Sequence, residues 1–332
     1  MKNKIRYLPL FFAGLCALAL VIVLGIAFGS VLISPIDMVS AVFDKEPSPI
    51  KSIVVYSRLP RVVASLLAGA ALSSAGAVLQ QVLANKLASP SIIGVNAGAG
   101  LGVTVAAAFG IISGLAVSVS AFLGSLLAVL LISLLSKSAN ASKSTVILGG
   151  VALNAILGAV SESVCVLDDD VALLTTEFRV GGFSSVSYAR LLPAGAIIAV
   201  SLIILFTLLN ELDAVSLGDE TAKGIGLSVN AYRIIFLVIS ALLAGAAVSF
   251  AGLLGFIGLV VPHFVRTLAG SESRRLLPLS ALYGAVFVCA CDLVSRVVFA
   301  PYELPVGMIL SFIGAPVFVL ILLKMRGGED RA

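Results

Sequence analysis

Charge is what this chain has least of. Asp, Glu, Lys and Arg make up 11% of its 332 residues, where a soluble domain carries about a quarter. With so few charges and 60% hydrophobic residues, a water-soluble fold has too little polar surface to cover it. The net charge of +4 is small and no basic stripe exists, so nucleic acid is excluded as a partner. There is one histidine, His263, with no HExxH pattern, which leaves no zinc-peptidase centre. The four cysteines, Cys16, Cys165, Cys289 and Cys291, show neither zinc nor CxxC redox spacing and lie in or beside apolar runs, as small buried hydrophobes would. No GxxxxGK[ST] loop occurs, so the chain cannot itself cradle the phosphates of ATP as a P-loop enzyme does. Strict apolar–polar alternation is also missing, which removes a membrane β-barrel and leaves helices.

What the chain does have is long apolar runs, at 8–33, 62–84, 91–109, 111–135, 146–166, 191–209, 234–264, 276–300 and 304–323. About 20 such residues span a bilayer core. The first run follows Lys2, Lys4 and Arg6 but is too long for a signal-peptide core, and reads as a retained span. The run at 234–264 exceeds one span, and its glycines Gly252, Gly255 and Gly258 predict a break that makes ten crossings from nine runs. Lys/Arg flanks at both termini then place both ends in the cytoplasm, with the basic residues divided about two to one in favour of the inside. Two outside stretches are longer than turns: 34–57, and 167–190 with a short helix ending near Gly181-Gly182. Residues 210–233 are too polar to span and predict short surface helices on the inner face. LLAGAALSSAG at 66–76 is echoed by LLAGAAVSFAG at 242–252, in spans of opposite direction, the pattern of an inverted repeat. Gly94, Gly98 and Gly102 form overlapping GxxxG spacings for close helix contact. Without a preceding strand, Gly98-Ala-Gly100-Leu-Gly102 is no dinucleotide loop.

Several stretches resemble the FecCD-type permeases of binding-protein-dependent ABC importers, which take up iron-siderophores, haem and cobalamin. They are Arg58-Leu-Pro-Arg61, AGAALSSAGAVLQQVLANKLASPSIIGVNAGAGLG from Ala68, LGDETAKGIGLSV at 217–229, GFIGLVVPHFVR at 255–266 and ELPVGMILSFIGAPVFVLILLK at 303–324. One departure is Asn85-Lys86-Leu87-Ala88, where relatives have a proline second. The resemblance implies one all-helical transmembrane permease domain over 1–332, paired as a homodimer or with a close homologue, multi-pass in a bacterial cytoplasmic membrane. Two partner ATPase subunits would use ATP and Mg, an extracytoplasmic binding protein would deliver cargo, and the chain would bind no cofactor and be no enzyme.

The resemblance also assigns roles. Arg58 and Arg61, three apart and so on one helix face, together with Arg296, become docking points for carboxylates of the binding protein; interfacial snorkelling is the plain alternative. Leu217, Gly218, Asp219, Glu220, Lys223, Gly224 and Gly226 become the ATPase-coupling element, the glycines allowing tight turns. Ser144 and Thr145 become a cytoplasmic gate, or else cap a helix before Val146. Asn96 and Asn154, with Gln80 and Gln81, line a pore or bridge helices. Glu162 and Asp292, acids within spans, contact cargo, relay protons or hold helices together, and no metal site is expected. His263, after Pro262, is expected at a helix end. The competing reading is an ion-coupled secondary transporter built on the inverted repeat and these two acids.

Overall fold

The computed structural model describes residues 4–29, 33–34, 48–138 and 143–329. Lys2, Pro35, Pro47 and Arg331, and most of the 34–57 stretch, lie outside them. The described residues form helices without a strand. In chain order they are α1 (Lys4–Ala27), α2 (Pro49–Val82), α3 (Val95–Ala108), α4 (Gly114–Ser138), α5 (Lys143–Leu167), α6 (Asp169–Val180), α7 (Tyr188–Thr207), α8 (Leu209–Ser216), α9 (Asp219–Gly224), α10 (Val229–Ala251), α11 (Ile257–Ala269), α12 (Ser273–Val297) and α13 (Val306–Glu329). Seven are long and apolar enough to cross a bilayer, and α3, α11 and α13 add three shorter apolar stretches. That matches the ten apolar segments expected.

α2 and α10 form the centre, each far more buried than the outer helices. They carry the two echoed stretches and run in opposite directions, since Arg61 near the start of α2 and Ser249 near the end of α10 line the same cavity. The outer helices α1, α4, α5 and α7 turn Leu, Ile, Val and Phe side chains outward, as lipid-facing surfaces require. Cys289 and Cys291 are buried, but Cys16 is exposed on α1 and Cys165 half-exposed, so only two of the four fit the buried expectation.

Helix contacts rest on missing side chains. A Cβ on Gly69 would collide with the Gly284 carbonyl of α12, and one on Gly76 with the Gly258 carbonyl of α11. Gly98 and Gly102 of α3 likewise press on the Gly124 and Ser120 carbonyls of α4, so the GxxxG spacing does produce a close crossing. The break in the long apolar run falls where expected. α10 stops at Gly252 (φ 69°), and α11 starts after Phe256 (φ 65°), whose side chain fits against Gly314. α11 then continues to Ala269, so Pro262 and His263 sit mid-helix and not at its end as expected. The turn after α2 closes with Lys86 and no proline: Ala84 takes φ 47° and the Asn85 side chain accepts from the Leu87 amide at 2.8 Å.

Gly69→Leu should therefore separate α2 from α12 and cost about 1–3 kcal/mol or more. Gly100→Ala, with nothing within 4 Å of a new Cβ, should leave stability unchanged or slightly raised. Thermal unfolding of the two variants in detergent, followed by size-exclusion profile, checks the contrast.

Candidate functional site

One end of the bundle is organised by a buried charge cluster. α2 begins at Pro49, through a π-helical stretch at Ser52–Arg58, so Arg58 and Arg61 lie more than two turns inside the helix and not in its first turn. Both are buried there, as is Arg296 of α12. Arg58 Nη1 donates to the carbonyls of Ile26 (2.6 Å) and Ala27 (2.8 Å), and Arg296 Nη1 to that of Gly25 (3.0 Å). Two cations thus close the C-terminal carbonyls of α1, which have no partner within the helix. Arg61 Nε donates to Asp292 Oδ1 at 2.9 Å and Nη1 to Glu303 Oε2 at 2.6 Å. On the other side of Asp292, Arg296 Nη2 lies 3.1 Å from Oδ2, a charge contact without hydrogen-bond alignment. Asp292 is fully buried. The three arginines expected as docking points for carboxylates of the binding protein are therefore buried and tie helices together, where the sequence reading put them at the outer surface. The correction follows from the longer α2, which carries them down between α1 and α12.

The opposite end carries the expected coupling segment. As predicted, 210–233 forms short helices: α8, a turn, α9, and the entry to α10. Leu212, Val215 and Ala222 are fully buried and anchor the unit, while Leu217 and Ile225 are about two-thirds exposed beside the exposed Glu220 and Lys223. Gly218 (φ 111°) and Gly226 (φ 84°) make the turns. Gly224 does not; it ends α9 in ordinary helical geometry with open space around it. Asp219 faces inward, 2.7 Å from Arg233 and 3.4 Å from Lys143 at the start of α5. Burial pushes its carboxyl up, but the hydrogen bond and charge of Arg233, with Lys143, outweigh this and hold it below the ordinary carboxylate value.

A polar chain that sequence reasoning missed fastens this segment to the span ends. Asp213 Oδ1 accepts from the Ser273 amide (3.0 Å) and lies 2.6 Å from its hydroxyl, capping α12 from another helix. The same hydroxyl is 2.9 Å from Gln81 Oε1, and Gln81 donates to the Ser271 carbonyl. Gln80 donates to the Gly258 carbonyl and accepts from Arg266. Both glutamines bridge helices, the second of the two readings left open. Ser-Glu-Ser ahead of an apolar run was the available signal, since such residues favour helix starts.

The remaining candidates fall elsewhere. Asn154 donates to the carbonyls of Ser91 and Ile92, and Asn96 to the Ser91 hydroxyl, so both amides hold the loop before α3. Ser144 and Thr145 are exposed within the first turn of α5, beyond its starting Lys143, and so do not precede the helix as caps. Glu162 is exposed and 3.8 Å from Arg179 of α6. Among the described residues no cluster of His, Cys, Asp and Glu could hold a metal. A cavity of about 500 Å³, also missed, opens beside the charge cluster among α3, α4, α6, the end of α10 and the start of α13.

The profile of the FecCD transport family matches residues 17–324, nearly the whole bundle. The chain belongs to the FecCD transport family. This FecCD chain is 40% identical over 334 residues to YvrB of Bacillus subtilis, an ABC transporter permease protein, covering 96% of this chain and 94% of that one. It is 35% identical over 275 residues to HmuU of Yersinia pestis, a hemin transport system permease protein, covering 81% of this chain and 82% of that one. In three dimensions it superposes, with TM-score 0.86 and 27% identity over 96% of its length, on all of a chain from a transporter described as metal-chelate type, in an inward-facing conformation. The FecCD chain is thus a multi-span ABC transporter permease and belongs with transport proteins, not enzymes.

Two outcomes follow from the charges. Asp292→Asn leaves two buried guanidinium groups without their shared carboxylate, and should cost about 3–5 kcal/mol in unfolding measurements. Asp219, with its lowered pKa, adds stability above the ordinary aspartate range, about pH 4, and loses it as pH falls through the lowered value. Protease protection of the 217–229 segment should therefore decline with acid in the native chain, and Asp219→Asn should remove that dependence.

Proposed function

We propose that this chain is the membrane-spanning subunit of an importer for an iron-siderophore or related metal chelate, paired with a second copy or a close homologue. Partner ATPase subunits engage the α8–α9 end, and a binding protein delivers cargo at the arginine end. Both termini then lie on the ATPase side, in keeping with their basic flanks. The observation that carries the reading is the α8–α9 unit: two exposed apolar residues, Leu217 and Ile225, on a short helical platform whose other face is fully buried. Apolar anchors flanked by charges are what a protein partner recognises. Relatives named for hemin transport and for vitamin B12, iron(3+)-citrate and iron(3+)-hydroxamate import support this cargo class.

At the arginine end, Arg58, Arg61 and Arg296 shape the docking face by fixing α1, α2 and α12, so delivery depends on the cluster without free charges from it. Ser144 and Thr145, exposed at the start of α5 on the ATPase side, remain the proposed gate. The secondary-transporter reading loses its support here. Asp292 is held by two arginines and Glu162 faces Arg179, which leaves neither acid in a relay.

Leu217→Asp and Ile225→Asp should each weaken capture of the ATPase at least about tenfold, 1.4 kcal/mol being one decade. Deletion of 217–229 should abolish it. Co-purification with the ATPase encoded for the same transporter is the measurement, and unchanged capture by the deletion variant overturns the proposal.

A further inference from the structure

The 500 Å³ cavity at the arginine end contains a cation without a counter-ion. Arg190, in the first turn of α7, reaches across to α4, where its guanidinium lies against Gly114 in the space any side chain there would fill. The guanidinium makes no hydrogen bond or ion pair to any described residue, although Glu177 of α6 lines the same cavity. The cavity's other carboxylate, Glu303, is committed to Arg61. Gly114 is also the first residue of α4, a helix of 25 residues with no acidic residue in its first turn, and α7 likewise begins here without one. A helix start carries about half a positive charge. Placing a guanidinium against one adds like to like, an arrangement that a bound anion would relieve. An independent observation points the same way. Ser118, one turn further along the same face of α4, is 5% exposed and lines the cavity, and its hydroxyl has no partner among the described residues.

We infer that Arg190, Ser118 and the start of α4 form a receptor for a carboxylate. The planar guanidinium offers two parallel N–H groups to the two oxygens of such a group, and the serine hydroxyl a third donor. The floor is held shut by backbone bonds among three interrupted segments: Gly182 N–H to the Ala251 carbonyl, Leu253 N–H to that of Phe178, and Gly307 N–H to that of Gly181. Interrupted helices around a cavity are the usual walls of binding sites in transporters. Two sources share this chemistry: a carboxylate on the cargo, and an acidic side chain on the protein that delivers it. Naming the sources rests on the importer reading; the receptor itself does not.

The test uses the full chain in nanodiscs of neutral lipid, with citrate as probe and sodium chloride of matched ionic strength as control. Citrate should raise the unfolding midpoint where the chloride does not. Arg190→Gln and Ser118→Ala should each weaken the citrate effect about tenfold, and Arg274→Gln, at the opposite end, should not. Should Arg190→Gln fail to fold, Ser118→Ala and Arg190→Lys carry the comparison. The second arm measures affinity of the delivering protein. A drop with Arg190→Gln, together with competition by citrate, assigns the receptor to that protein's acidic side chain; citrate binding with unchanged protein affinity assigns it to cargo. Absence of both a citrate effect and an affinity change overturns the proposal. ATPase capture at α8–α9, measured on the same variants, reports separately on the importer reading.

Discussion

A single carboxylate, Asp292, decides how one end of this bundle is built. Fully buried in a helix that crosses apolar surroundings, it could not remain charged alone, and the cost of moving an isolated ion from water is several kcal/mol even after relaxation. Arg61 and Arg296 bracket it, and one Nη of each donates elsewhere, to Glu303 and to the last carbonyls of α1. Four chain segments thereby share one electrostatic unit. Each member is tolerable in the interior because the others are present, so the arrangement specifies relative helix positions more than it adds net stability.

The packing around that unit follows the rule for helices in lipid. There is no hydrophobic gain in bringing two apolar helices together when the solvent is itself apolar, so close backbone approach has to supply the attraction. Glycine supplies it at Gly69, Gly76, Gly98 and Gly102. Where chain polarity is unavoidable, at the breaks near Gly181 and Gly252, backbone groups from different segments satisfy one another.

Much of this was legible in the sequence, because the bilayer forces apolar runs to a characteristic length. The ten segments, the break in 234–264, the α6 helix ending at Gly181 and the short helices of 210–233 could all be read from run length, glycine and charge. What could not be read was depth. Arg58 and Arg61 look like external charges when α2 is started near them, and only the preceding turns from Pro49 show that they are interior. Pairing across long separations was equally hidden: nothing local joins Asp213 to Ser273 or Gln80 to Arg266. Gly224 shows the opposite error, a glycine given a turning role that its neighbours Gly218 and Gly226 already fill. Arg190 was passed over because a lone basic residue at the start of an apolar run carries no signal until its neighbours are known.

α12 joins these themes. Its first residue is held by Asp213 of the α8–α9 unit, and Asp292 and Arg296 near its last turn hold the arginine cluster. At 25 residues it is a rod of about 37 Å, at 1.5 Å per residue. A stiff rod clamped at both tips cannot tilt at one without levering the other. The polar clamp at one face of the membrane and the ionic clamp at the other are therefore mechanically in series.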